Sequence, residues 1–250
     1  MISPRHPNLR WRTLGLLACT AVLAIAGCRN APGKPGPEPE VVRPSQILDF
    51  ATLYNQNCAS CHGEHGQNGA AISLANPVYI AIAGTQNIQR ITAAGVPNTA
   101  MPPFARSAGG MLTDQQISIL AQGIEQSWSR PSALAGQTPP AYAASATGDP
   151  GRGQQAFTTS CAQCHGAEGT GGKSSGVLIG SLVDPSYLAL ITDQGLRSII
   201  IAGQPEQGMP DWRSHPGAAV PLTDQQVTDI VAWLVSHRIA TPGQPYKQHP

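Results

Sequence analysis

Apolar positions in this chain come in two kinds, one unbroken run near the N-terminus and spaced stripes beyond it. Residues 13–27, TLGLLACTAVLAIAG, carry no charge. Far downstream, Val227, Ile230, Val231, Leu234 and Val235 recur at helical spacing, and Ile117, Leu120 and Ile124 do the same in a stretch ending at Trp128. Thr-Asp-Gln-Gln opens both stretches. Thr113 and Thr223 are predicted helix N-caps, because a hydroxyl satisfies first-turn N–H groups and the following Asp favours the positive end of the helix dipole. Shorter amphipathic stretches carry Ile47, Phe50 and Tyr54 in the first half and Phe157 in the second. No run sustains strand alternation, so the pattern predicts an all-α protein.

The pattern also occurs twice in the same order. Tyr54-Asn-Gln-Asn-Cys58-Ala-Ser-Cys61-His62-Gly63 matches Phe157-Thr-Thr-Ser-Cys161-Ala-Gln-Cys164-His165-Gly166. Leu74-Ala-Asn-Pro77-Val-Tyr79 echoes Leu182-Val-Asp-Pro185-Ser-Tyr187, and Ala100-Met101-Pro102 echoes Gly208-Met209-Pro210. Leu112-Thr-Asp-Gln-Gln-Ile117 echoes Leu222-Thr-Asp-Gln-Gln-Val227. The separation between partners grows by a few residues along the chain, as small loop insertions would produce. Ordered repetition of this kind predicts two domains from an internal duplication, at 45–130 and 148–240. Residues 131–147, within a stretch rich in Ala, Pro, Ser and Gly, read as a linker, and 241–250 as a polar tail.

The uncharged run at the start follows Arg5, Arg10 and Arg12 with no acid among them, which reads 1–27 as a secretory signal peptide. It is short for a bilayer-spanning helix, which takes roughly 20 residues, although an uncleaved anchor is the alternative. The run closes on Ile25-Ala26-Gly27-Cys28, which resembles the bacterial lipoprotein cleavage box. That resemblance implies a lipidated Cys28 as the first mature residue; an ordinary cleavage site beside a chance cysteine is the other possibility. Residues 29–44 hold five prolines and two glycines. Such a segment is extended, and at roughly 3.1 Å per residue it spans up to about 50 Å. We read 28–44 as a tether from a membrane surface, though a merely disordered terminus would have the same composition.

Composition narrows the function classes. A net charge of +1 and a pI of about 7.7 show no basic stripe of the kind a nucleic-acid binder needs. Beyond residue 28 the lysines are Lys34, Lys173 and Lys247 alone. Gly (27) and Pro (23) make up about a fifth of 250 residues, which points to long loops. Aromatic content is 5%, low for a core closed by side chains alone, and a large bound cofactor would supply the missing bulk.

The chemistry lies in Cys-x-x-Cys-His, at Cys58, Cys61 and His62 and again at Cys161, Cys164 and His165. Two thiols three positions apart lie on one face of a helical turn and reach the two vinyl groups on one haem edge, while the next histidine is held under the iron. A zinc site would need further ligands. A thioredoxin-like pair would need a βαβ setting, and structural disulfides would leave both histidines unexplained.

Both halves resemble class I c-type cytochrome domains, and the whole resembles bacterial dihaem cytochromes c. The resemblance implies two small helical bundles, each around a covalent haem c, with first and last helices crossing. Phe50 and Tyr54 against Leu120 and Ile124, and Phe157 against Trp233 and Leu234, would be those crossings. It also implies a downstream methionine as the second axial ligand. Met209 stands in the second half. In the first, Met101 aligns with Met209, whereas Met111 aligns with Pro221. We assign Met101, with Met111 as the alternative; His65 and His215 are further candidates, more plausibly exposed loop residues.

His/Met ligation leaves the iron no open position, which points to electron transfer rather than catalysis. The expected function is a membrane-tethered carrier on the periplasmic side, passing electrons between redox protein partners. One alternative is a fixed subunit of a larger respiratory or photosynthetic complex. Another is a dihaem peroxidase-type enzyme, against which the paired Met101 and Met209 speak. Scarce lysines imply apolar and hydrogen-bonded docking of partners, with weak salt dependence.

Overall fold

The repeat seen in the sequence is visible as repeated helices. The computed structural model describes residues 41–174, 176–214 and 220–239. The expected signal peptide, Cys28, most of the expected tether, His215 and the C-terminal tail lie outside the described residues. Pro44–Pro250 forms one compact unit, distinct from Met1–Arg43. Among the described residues no helix is long and apolar enough to cross a membrane.

The first half contains α1 (Phe50–Asn57), α2 (Ala59–His62), α3 (Pro77–Ala94) and α4 (Asp114–Trp128). The second contains α5 (Pro150–Ser160), α6 (Ala162–His165), α7 (Pro185–Leu190), α8 (Asp193–Ala202) and α9 (Asp224–Val235). Thr113 and Thr223 cap α4 and α9, each in a full capping box with Gln116 or Gln226. α3 is interrupted at Gly84 (φ 69°, ψ 156°), and the corresponding place in the second half, Thr192, is where α7 gives way to α8. One break therefore recurs in both copies.

First and last helices of each half pack together, as the resemblance implied. In the second half the Phe157 and Trp233 rings lie 4.3 Å apart, and Phe157, Trp233 and Leu234 are all buried. In the first half Tyr54, Leu120 and Ile124 are buried, and the rings of Phe50 and Tyr54 meet Trp128 at 5.9 and 5.1 Å. Two helical glycines allow the approach. A Cβ on Gly153 would stand 2.0 Å from the Asp229 carbonyl oxygen, and one on Gly123 would stand 2.1 Å from the Phe50 ring.

Two features were not legible in the sequence. An antiparallel hairpin, β1 (Gly172–Ser174) and β2 (Val177–Ile179), follows α6. It occupies the stretch where the second half is longer than the first. Three residues per strand are too few to leave an alternating signature. The second feature is that the presumed linker is held. The Ala141 N–H donates to Asp224 at 2.9 Å, Arg197 Nε donates to the Ala141 and Tyr142 carbonyls at 2.9 and 3.2 Å, and Gln194 donates to the Tyr142 carbonyl at 2.7 Å. Arg197 is buried, and its two terminal nitrogens donate to Thr228 and Asp224.

The two halves also touch directly. Asn76, the N-cap of α3, accepts from the Val78 and Tyr79 N–H groups through Oδ1, at 2.9 and 3.2 Å. Through Nδ2 it donates to the carbonyls of Ala202 (3.0 Å) and Gly203 (3.2 Å) at the end of α8. Beside it Tyr79 is buried close to Tyr142, and burial pushes both phenols above the ordinary tyrosine range.

Candidate haem centres

Each Cys-x-x-Cys-His motif spans the end of one helix and the whole of a short second one. Cys58 terminates α1 and Cys161 terminates α5, so both first cysteines sit at a bend (φ −121° and −123°). The remaining motif residues form α2 and α6, which end at Gly63 and Gly166. In the first half the Tyr54 hydroxyl donates to the Gly63 carbonyl at 2.9 Å and pins this turn. Phe157 stands at the equivalent place and has no hydroxyl to do so.

Among the described residues all four motif cysteines are unpaired, despite their two-residue spacing. Burial, and next the neighbouring Cys61, pushes the Cys58 thiol up to about 11. Burial and Cys164 push Cys161 up to about 12. These are neutral thiols packed against apolar surroundings rather than activated nucleophiles. Burial also holds His62 and His165 below the ordinary histidine range, so both rings are neutral at pH 7, the form that ligates a metal.

The two histidines differ in what stands behind them. His62, 8% exposed, has Nδ1 2.8 Å from the Ile72 carbonyl. A carbonyl only accepts, so Nδ1 carries the proton and Nε2 presents its lone pair. His165 Nδ1 is buried and has no hydrogen-bond partner among the described residues.

The methionines arrive by the same route in each half. α3 and α8 both end on a glycine with positive φ, Gly95 (68°) and Gly203 (67°). The Met-Pro segment then folds back against that glycine. A Cβ on Gly95 would meet Pro103 N at 2.5 Å, and one on Gly203 would meet the Pro210 carbonyl at 2.6 Å. Any side chain there would push the methionine segment away from the helix end. Backbone bonds hold both loops: Val96 N–H to Met101 O at 3.0 Å, and Gln204 and Met209 exchanging bonds at 2.9 and 3.1 Å. Met101 and Met209 are half-buried, whereas Met111 is 78% exposed. His65 is exposed.

The comparisons with known proteins divide along the repeat. Residues 151–238 match the family model described as cytochrome c, and residues 45–122 match that of cytochrome c oxidase, cbb3-type, subunit III. Each half is a cytochrome c domain. The cytochrome domains each carry a covalently bound haem c, which makes the chain a dihaem c-type cytochrome.

Three relatives share about a quarter of their aligned residues with this chain. The cbb3-type cytochrome c oxidase subunit FixP of Sinorhizobium medicae is 26% identical over 202 residues, covering 72% of this chain and 61% of its own length. FixP of Rhizobium meliloti is 27% identical over 197 residues, covering 71% of this chain and 60% of its own length. CcoP of Azospirillum sp. is 27% identical over 154 residues, covering 55% and 47%. The chain thus spans about three fifths or less of the length of these curated relatives. A solved structure, the Kuenenia stuttgartiensis reducing HAO-like protein complex, superposes with a TM-score of 0.43 and 18% identity, covering 78% of this chain and 97% of that one.

The motif residues fit haem c on local observations. Four thiols are left unpaired, a buried His62 presents Nε2 away from its carbonyl partner, and His165 keeps an orphaned polar atom. Among the described residues no group of three or more His, Cys, Asp or Glu is arranged to hold a metal ion unaided. Sequence reasoning missed the carbonyl of Ile72 and the hydroxyl of Tyr54. Neither carries a motif, and the tertiary fold alone brings them to the histidine and its turn.

Proposed function

We propose that this cytochrome is a fixed electron-transfer subunit of a membrane respiratory complex of the cbb3 oxidase type, rather than a freely shuttling carrier. The observation that carries this is the match of residues 45–122 to subunit III of cbb3-type oxidase, together with relatives that are themselves subunits of that complex. A free carrier, the first expectation from sequence, has no comparable support.

In this reading Cys58 and Cys61 attach one haem and Cys161 and Cys164 the other. His62 and Met101 would hold the first iron, and His165 and Met209 the second. Bound haem supplies reversible one-electron chemistry. The Ile72 carbonyl holds the His62 ring in one tautomer and makes it a more basic ligand. The glycine-backed loops set where each methionine stands. Tyr54 and the aromatic cluster around Trp128 exclude water from the first site. With a histidine and a methionine holding it, each iron would have no open position for oxygen or peroxide, which favours electron transfer. Export by residues 1–27 and lipidation of Cys28, with residues 29–44 as tether, would place the domains on the periplasmic side.

Gentle detergent extraction of native membranes, followed by native separation and haem staining, tests the reading. The haem band is expected within a much larger assembly whose other proteins include oxidase subunits. Migration alone, near the mass of the chain itself, would return the free carrier to first place.

A further inference from the structure

Asn76 does work at the junction of the domains that its counterpart cannot do. The repeat places Asp184 at the same position, and both residues cap a helix: Asn76 through Val78 and Tyr79, Asp184 through the N–H groups of Ser186 and Tyr187 at 2.9 and 3.0 Å. The cap needs only an acceptor, so Asn and Asp serve it equally. Asp184 is exposed and does nothing more than cap. Asn76 is 4% exposed, and both of its side-chain donor bonds cross to Ala202 and Gly203 of the other domain. A carboxylate has no donor to offer there and would face two carbonyl oxygens.

What lies on either side of this contact gives it a role. Four residues before Asn76, the Ile72 carbonyl accepts the Nδ1–H of His62 at 2.8 Å. Directly after Gly203, Gln204 exchanges backbone bonds with Met209 at 2.9 and 3.1 Å. The segment behind the histidine of the first site is therefore hydrogen-bonded to the segment that leads into the methionine of the second. The bridge is buried, and Asn76 uses both amide hydrogens and its carbonyl oxygen in it.

We propose that Asn76 is a positioning residue for electron transfer between the two haems: its amide locks the His62–Ile72 segment of one domain onto the Gly203–Met209 segment of the other. The docked pair then acts as one rigid unit with a fixed separation between its sites. One electron leaves one iron, which is oxidised, and arrives at the other, which is reduced; the external donor and acceptor are redox proteins of the complex. The inference rests on the axial assignments of His62 and Met209 given above.

The test is Asn76→Asp in the full-length, haem-loaded protein, with Asp184→Asn as the control. Asp preserves the cap, as Asp184 shows, so the first domain keeps its fold. Three readouts are needed: the midpoint potential and absorption spectrum of each haem, the rate of re-equilibration between haems after a reducing pulse, and protease cleavage within residues 131–147. A lost pair of buried bonds is expected to shift the docked-to-open ratio roughly tenfold or more. Asn76→Asp should therefore slow transfer and speed linker cleavage, with potentials and spectra unchanged and the control behaving as the native protein. Unchanged transfer and unchanged cleavage would overturn the proposal. Slowed transfer with altered spectra would also overturn it, since the residue would then be acting on ligation. If instead Met209 proves not to be a ligand, the axial assignment fails while accelerated cleavage still reports the lock.

Discussion

At the scale of single residues, the methionines carry the sharpest expectation. Met101 and Met209 occupy equivalent half-buried positions behind Gly95 and Gly203, while Met111 is turned to solvent. Replacing Met209 by Ala should abolish the methionine-to-iron absorption band of the second haem and lower its midpoint potential, because a thioether ligand raises the potential. Met101→Ala should do the same to the first haem, and Met111→Ala should change neither. A Met111→Ala variant that loses the band would reverse the assignment made in the first half. The Cys-x-x-Cys-His residues were legible in sequence because the reaction itself dictates their spacing. The backing of the histidines was not. Ile72 and Tyr54 act through a backbone carbonyl and through a hydroxyl that an ordinary core tyrosine also carries, so neither stands out in a pattern of side chains.

At the scale of elements, α5 and α9 of the second domain are joined by more than the Phe157–Trp233 contact. Asp229 on α9 is buried and accepts from the Asp149 N–H at 2.8 Å, from Gln225 at 2.8 Å and from two Arg152 nitrogens at 2.8 and 2.9 Å. Burial alone would raise its carboxyl, but these hydrogen bonds, led by Arg152, outweigh it and hold the group below the ordinary carboxylate range. A lowered folded value means the stabilisation is complete above the unfolded value of about 3.9 and is lost as pH falls through the folded one. Thermal melts of the native protein and of Asp229→Asn should therefore differ by a constant amount from neutral pH down to about pH 4 and converge below it. A gap that stays constant through the acid range would show that Asp229 is not the titrating group. The periodicity of Val227 to Val235 was enough to predict α9. It could not predict its tie to Asp149 and Arg152, which depends on the crossing that Gly153 allows.

At the scale of the whole molecule, few lysines remain to steer a partner, and the exposed apolar residues include Val177 and Leu178 on the hairpin beside the second site. Reduction of the protein by its redox partner should accordingly change little, by less than roughly threefold, as ionic strength rises from about 0.05 to 0.5 M, because screening weakens only charged steering. A steep fall would mean that charged groups outside the lysines guide docking. The same scale separates what the chain announces from what it conceals. Helical class, duplication and two covalent haems follow from sequence alone, because helix periodicity, capping residues and thioether attachment are local requirements met within a few positions. The hold on residues 131–147, the hairpin after α6 and the bridge from Asn76 to α8 were decided by tertiary structure. Each joins groups far apart in the chain or too short to show a period. Asn76 against Asp184 was visible as a difference between repeats, but only the packed domains show that one amide faces two carbonyls while the other position faces water.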